Sequence, residues 1–264
     1  MTLTFCSFAS GSNGNSYLIK SGQTAILIDA GVSGRRILDS LKQAGVETDE
    51  VKAMLVTHEH SDHIKSLKTV NRRLPHIKTY ANSGTWKYIK DMVNEEQQVL
   101  FKTGEEFFVG DVKVKTFPLS HDAEEPVGFS FYLDGKQISL LTDTGCLSED
   151  MYSAIKGADL LVLEANHDVE MLRMGRYPWF LKQRILGEKG HLSNVAAADA
   201  ICWLLSGEKK KRRVLLAHLS RENNFPEMAY QTIKNLLEEK NYYINTNVAL
   251  NIIKRDEMSA IYTV

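Results

Sequence analysis

Two runs of short β-strands with helices set among them predict an α/β (α+β) fold, with sheets packed face to face and helices covering the outside. Three observations carry this. The apolar run Val51 to Val56 reads as a short buried strand feeding a helix. Between Phe101 and Leu141 helical spacing gives way to strands at Glu106 to Val109, Val112 to Pro118, Val127 to Leu133 and Gln137 to Leu141, with hairpin signals at Gly110-Asp111 and Asp134-Gly135. Leu160 to Leu163 then opens a second half in which helices and buried strands alternate.

Taken in order, Leu3 to Phe8 and Ser16 to Ile19 read as strands around a Gly/Ser/Asn loop at Ser10 to Asn15. Gly11 and Gly14 would let backbone N–H groups approach an anion, but a plain turn is the simpler reading. Ala25 to Ile28 is a third strand and ends at Asp29. Ser33 is placed to cap a helix to about Ala44, stopped by Gly45, with Ile37, Leu38 and Leu41 on one face. After Val56, Ser61 has N-cap chemistry, which would put Asp62 and His63 in the first turn of the next helix. Ile64, Leu67, Val70 and Leu74 continue at helical spacing until Pro75. Ser83 to Val93 is a further helix whose Trp86 and Tyr88 are read as packing residues.

The second half holds a mixed helical region up to Gly187. Arg173, Arg176, Lys182, Arg184 and Lys189 make Met171 to Gly190 locally basic, with Tyr177, Trp179 and Phe180 among them. Aromatics amid cations suit a nucleic-acid groove; the reading preferred on sequence is an amphipathic lid whose aromatics pack inward. Ser193 caps a helix carrying Val195, Ala198, Ile201, Cys202 and Leu205. Lys209 to Arg213 reads as a solvated connector into strand Val214 to Ala217. Pro226 opens a last long helix through Leu237, and the tail from Val248 to Val264 looks like strand returning to the sheet. Repeats and linkers are absent from the sequence, so residues 1–264 are expected to form one domain.

A hydrophobic content of 43% allows a sizeable core. No apolar run is long enough to span a membrane, and Met1 to Ser10 shows no secretory pattern. Cys6, Cys146 and Cys202 are odd in number and widely spaced, which argues against a disulfide framework. The expected compartment is the cytoplasm. The formal net charge of −1 gives no whole-protein attraction to nucleic acid, although phosphate binding needs only a local basic surface.

The densest chemistry is Thr57-His58-Glu59-His60-Ser61-Asp62-His63. On extended backbone, His58 and His60 point to the same side. Three imidazoles and a carboxylate within six residues exceed what one four-coordinate ion needs once distant ligands join, which suggests a two-metal site. The ligands are nitrogen and oxygen without thiolate, compatible with Zn²⁺, Mn²⁺ or Fe²⁺.

His58-x-His60-x-Asp62-His63 resembles the signature of the metallo-β-lactamase superfamily. Asp29 in Ile28-Asp29-Ala30-Gly31, His121 in Ser120-His121-Asp122, Asp143 in Thr142-Asp143-Thr144-Gly145 and His218 in Ala217-His218-Leu219-Ser220 match its later motifs in order. The resemblance implies a four-layer αββα sandwich. It also implies that His58, His60 and His121 hold one metal, Asp62, His63 and His218 the other, and that Asp143 bridges them. Asp62 is counted with the catalytic residues as well, and Asp29 supports the metal loop by hydrogen bonding. The segments Ser10 to Ser16, Leu163 to Asp168 and Gly190 to Asn194 resemble a branch associated with 5′-to-3′ exonuclease activity on DNA.

Two divalent ions sharing a water lower its pKa and yield hydroxide, which fixes hydrolysis more firmly than substrate. His191, outside the ligand set and opening a Gly-His-Leu-Ser segment, resembles the extra histidine of the superfamily's phosphodiesterases, where it would assist the leaving group as an acid. His167 reads as a supporting or structural residue, and His76 as surface. Only 74 residues separate Asp143 from His218, too few for a large inserted nuclease domain. The leading expectation is a DNA exonuclease. Its alternatives are a cyclic or small-nucleotide phosphodiesterase, a thioester or lactone hydrolase, and a non-catalytic scaffold, against which the complete ligand set argues.

Overall fold

The computed structural model describes residues 2–22, 24–207 and 210–264. Among these the strands are β1 (Leu3–Ala9), β2 (Ser16–Ser21), β3 (Thr24–Ile28), β4 (Val51–Leu55), β5 (Lys78–Ala81), β6 (Gln98–Leu100), β7 (Glu106–Val109), β8 (Val112–Pro118), β9 (Val127–Leu133), β10 (Lys136–Leu141), β11 (Leu160–Glu164), β12 (Arg212–Ala217), β13 (Val248–Ile252) and β14 (Tyr262–Thr263). The helices are α1 (Gly34–Gln43), α2 (Ser61–Ile64), α3 (Leu67–Arg73), α4 (Ser83–Ile89), α5 (Glu149–Ile155), α6 (Val169–Met174), α7 (Trp179–Leu186), α8 (Asn194–Ser206) and α9 (Pro226–Glu239). Two seven-stranded sheets result, ordered β14-β1-β2-β3-β4-β5-β6 and β13-β12-β11-β10-β9-β8-β7. None of the described helices is long and apolar enough to cross a membrane.

The chain divides into two compact units, residues 1–118 with 123–136 and 254–264, and residues 119–122 with 137–253. In the first unit β1, β2 and β3 are antiparallel, and β3, β4, β5 and β6 run parallel. One face of this sheet contributes Phe8, Leu27, Met54 and Val56 to a core that α1 closes with Ile37 and Leu41, and α3 with Val70. Burying such side chains is worth about 1.5–3 kcal/mol each. Helix α1 begins where expected: Ser33 accepts the Arg36 N–H, and Gly45 ends it at φ 68°. The predicted β7–β8 hairpin forms, and β8 also pairs antiparallel with β9. The strands joined by the second hairpin signal at Asp134-Gly135, β9 and β10, are neighbours in the same sheet.

In the second unit β10, β11, β12 and β13 run parallel, and Ile138 to Leu141, Leu160 to Leu163 and Val214 to Ala217 are buried, as is usual for parallel strands. Their C-terminal ends carry Thr142-Asp143, Glu164 and His218. Ser193 caps α8 by accepting the Ala196 N–H, and Pro226 starts α9.

Several expectations change. Ser61 is the first helical residue rather than the cap; His60, extended and without a capping side-chain bond, precedes it. The helix that follows is broken, because the Ser66 N–H leaves it to bond the Ala30 carbonyl at 2.8 Å while the Ala30 N–H takes the His63 carbonyl at 2.7 Å. The helix from Ser83 ends at Ile89, with a single tight turn beyond it. Trp86 packs and donates to the Val99 carbonyl, but Tyr88 is exposed. The basic run is no solvated connector: Lys210 binds the Gly157 carbonyl and Asp159, and the guanidinium of buried Arg212 donates to the Ala158 and Lys156 carbonyls. Lys209 lies outside the described residues. The tail divides, β13 pairing with β12 and β14 with β1.

Candidate metal centre

The first unit carries Asp29, His58, His60, Asp62 and His63. Asp29 sits one residue beyond β3 at φ 58°, a conformation that few side chains other than Asn, Asp and Gly adopt readily. From there its fully buried carboxylate accepts three bonds: the Thr57 N–H at 2.9 Å, the Thr57 hydroxyl at 2.9 Å and His63 Nδ1 at 2.7 Å. One carboxylate thus fixes both ends of the histidine motif. Asn15 joins it from the Gly/Ser/Asn loop. Its Oδ1 accepts the Gly11 N–H, which turns Nδ2 towards Asp62 Oδ2 at 3.2 Å and His63 Nε2 at 3.0 Å. Gly31 makes this interlock possible, since a Cβ there would stand 1.6 Å from the Asp62 carbonyl oxygen. The rings of His58 and His60 are neighbours, with Nε2 of the first 3.1 Å from Nδ1 of the second.

The second unit carries His121, Asp143, His191 and His218, and adds a residue to which sequence reasoning gave no role. Glu164, the last residue of β11, is wholly buried. Its Oε1 lies 2.8 Å from Nδ1 of both His191 and His218, and its Oε2 accepts the Thr144 N–H at 2.9 Å and the Leu192 N–H at 3.2 Å. Asp143 Oδ1 lies 3.3 Å from His218 Nδ1 and 3.7 Å from His191 Nδ1. Asp143 at φ 63° and His218 at φ 54° share the conformation of Asp29. A left-handed residue just past a strand end turns its side chain away from the sheet's alternation, and the strain persists only where the surroundings enforce it. His121 Nδ1 is held by the Gly190 carbonyl at 3.1 Å.

A histidine whose Nδ1–H is held by an oxygen acceptor offers its Nε2 lone pair to a metal. His121 and His218 follow that pattern. His63 Nδ1 is held in the same way by Asp29, while its Nε2 faces the Asn15 amide at 3.0 Å, and carboxylates accompany the histidines in each unit. In the second unit Asp143, Glu164, His191 and His218 bring ligand atoms within 4.8 Å of one another. This donor set fits divalent metal ions. Burial works against charge throughout. It lowers the pKa of His121, and it would raise that of Glu164, but His191 and His218 hold the Glu164 carboxyl well below the usual range. For His191 burial is outweighed by the Glu164 carboxylate, so its pKa rises. Buried His167, whose ring nitrogens have no hydrogen-bond partner among the described residues, is pushed down to about 4 by desolvation and stays neutral. Exposed His76 caps carbonyls at Thr48 and Val51.

The fold and the centre are those of a metal-dependent hydrolase, and the chain belongs to the metallo-β-lactamase superfamily: residues 24–219 match the model described as a β-lactamase superfamily domain. It is 42% identical over 245 residues to exodeoxyribonuclease YycJ of Bacillus anthracis, covering 92% of each chain. It is 41% identical over 236 residues to exodeoxyribonuclease WalJ of Streptococcus pneumoniae, covering 88% of this chain and 87% of that one. The metallo-β-lactamase fold protein YhfI of Bacillus subtilis superposes with a TM-score of 0.74 at 14% identity, covering 98% of this chain and 99% of the other. The fold is therefore the αββα sandwich expected from the sequence.

Proposed function

We propose that this protein is a metal-dependent phosphodiesterase acting as a 5′-to-3′ exonuclease on DNA, built as one hydrolase domain over residues 1–264. The observation that carries this is the His191–Glu164 pair: an imidazole outside the expected ligand set, with Nδ1 held at 2.8 Å by a buried carboxylate. The two relatives named exodeoxyribonucleases support the same reading.

His58, His60, Asp62, His63, His121, Asp143 and His218 would hold two divalent ions, of which Zn²⁺ and Mn²⁺ suit the nitrogen and oxygen donors. Such ions, when bound, supply Lewis acidity towards a phosphoryl oxygen and lower the pKa of water. The chain's own contribution is then positional and protic. Asp29 and Asn15 lock His63 and Asp62 in place from two sides. Glu164 holds Nδ1–H of His191, so the proton available to a departing oxygen sits on Nε2, and the carboxylate balances the imidazolium before transfer. Phosphodiester cleavage expels an alkoxide-like oxygen, and a donor at that atom removes the need to form a free alkoxide.

The test is incubation of metal-loaded protein with 5′-labelled and 3′-labelled duplex and single-stranded DNA beside a panel of thioesters. Stepwise release of nucleotides from 5′ ends is expected. Thioester turnover without DNA cleavage would overturn the proposal.

A further inference from the structure

Helix α7 is built inside out. Its first two residues, Trp179 and Phe180, are 66% and 72% exposed, while Lys182, one turn on, is only 9% exposed and donates from Nζ to the Arg173 carbonyl at 2.7 Å. The aromatics therefore do not pack inward as the lid reading expected. The lysine does, where it serves the end of α6, and Met174 beside it is 85% exposed. Large apolar side chains gathered at the surface call for a covering partner.

The surrounding charge narrows that partner. Residues 171–190 contain five cations against one acid, Glu188, in a chain whose formal net charge is −1. Arg173 is paired with Glu170, Arg184 with Asp122 and Lys182 with the backbone. Arg176 and Lys189 are exposed and, among the described residues, make no ion pair. A surface that offers two rings and two uncommitted cations matches a polyanion with flat faces. Every base has a π-face and every linkage a phosphate, so unpaired nucleotides satisfy both halves at once.

Position supports the same occupant. The His191 N–H bonds the carbonyl of Ile185 in α7 at 3.0 Å, and Gly190 lies so close beneath that helix that a Cβ would meet the Ile185 oxygen at 2.2 Å. Arg184 reaches Asp122, next to His121. Helix α7 is thus tied directly to the residue assigned as acid.

We infer that Trp179 and Phe180, flanked by Arg176 and Lys189, form a platform on which unpaired bases of a DNA strand stack beside the metal centre. The inference rests on the DNA reading proposed above and adds a binding subsite to it. It selects single-stranded over fully paired DNA at this surface, because only unstacked bases present their faces.

The probe is a fluorescent oligodeoxynucleotide with phosphorothioate linkages, titrated into the whole protein and followed by anisotropy at several salt concentrations. Trp179→Ala combined with Phe180→Ala should weaken binding at least about tenfold, since stacking is worth roughly 5- to 150-fold per base. Trp179→Phe should restore most of it. Arg176→Gln and Lys189→Gln should each reduce the slope of log affinity against log salt by about 0.7. They also carry the test on their own if the double alanine variant does not fold. Unchanged affinity and slopes in all variants would overturn the platform, even in a protein that degrades DNA. So would a wild-type dimer that the double alanine variant converts to monomer, which would make this face a contact between copies. Wild-type protein that binds the oligonucleotide through these residues but cleaves no DNA would sustain the platform and overturn the exonuclease.

Discussion

His191 and His218 share one acceptor: the Nδ1 atoms of both lie 2.8 Å from Oε1 of Glu164. The other carboxylate oxygen takes two backbone N–H groups. A carboxylate with four donors and no donor of its own cannot be replaced by an amide without conflict, because the amide's NH₂ must face either the imidazoles or the backbone. Glu164→Gln should therefore lower divalent-metal affinity and DNA turnover by about 10–100-fold, the usual cost of losing a partner that orients a metal histidine. Calorimetric titration with Zn²⁺ or Mn²⁺ reads the first effect. Wild-type affinity would show that Glu164 merely fills space.

Asp29 plays the corresponding part in the first unit, with a stability consequence. Asp29→Ala leaves three donors without their acceptor, the Thr57 N–H and hydroxyl and His63 Nδ1. At about 1–3 kcal/mol for each buried unsatisfied group, the loss should reach roughly 3 kcal/mol in chemical denaturation. Asp29→Asn keeps an acceptor and tolerates φ 58°, so it should cost less. Equal losses would mean that the left-handed turn, not the hydrogen bonds, carries the energy.

Metal content separates the ligands. Wild-type protein should hold two divalent ions per chain. Asp143→Ala should disturb both, as expected of a bridging carboxylate, whereas His218→Ala should disturb mainly one. Elemental analysis of folded, dialysed protein decides the matter, and a full complement in Asp143→Ala would remove it from the bridge.

The centre was legible where chemistry is dense and local. Histidines at 58, 60 and 63 with Asp62 follow an apolar strand, and spacing alone places them on one turn. Glu164 lay within the segment Leu163 to Asp168 whose resemblance was legible, but its own role was not, because that role lies in Nδ1 atoms 27 and 54 residues away. The left-handed backbone at Asp29, Asp143 and His218 leaves no mark in composition either. Ser61 misled because local cap propensity yields to tertiary bonds, here those joining Ala30 to His63 and Ser66. Helix α7 misled for a related reason. Periodicity shows which residues share a face, but not whether that face turns inward, and Lys182 took the buried position.

His191 is distinguished from the ligands by what its removal spares. Its Nδ1 is committed to Glu164, whose carboxylate outweighs burial and raises its pKa. General acid help is typically worth about 10²–10⁴-fold in rate. His191→Ala should lose most turnover on DNA, whose leaving oxygen is a poor one, while metal content and fold persist. A diester with a nitrophenolate leaving group needs little protonation and should slow much less. His60→Ala, by contrast, should slow both substrates alike, since a ligand serves the attack as well as the departure. Loss of metal in His191→Ala would place it among the ligands. Equal slowing of the two substrates would make it a residue that positions the phosphate, and the ratio of the two rates therefore decides its role.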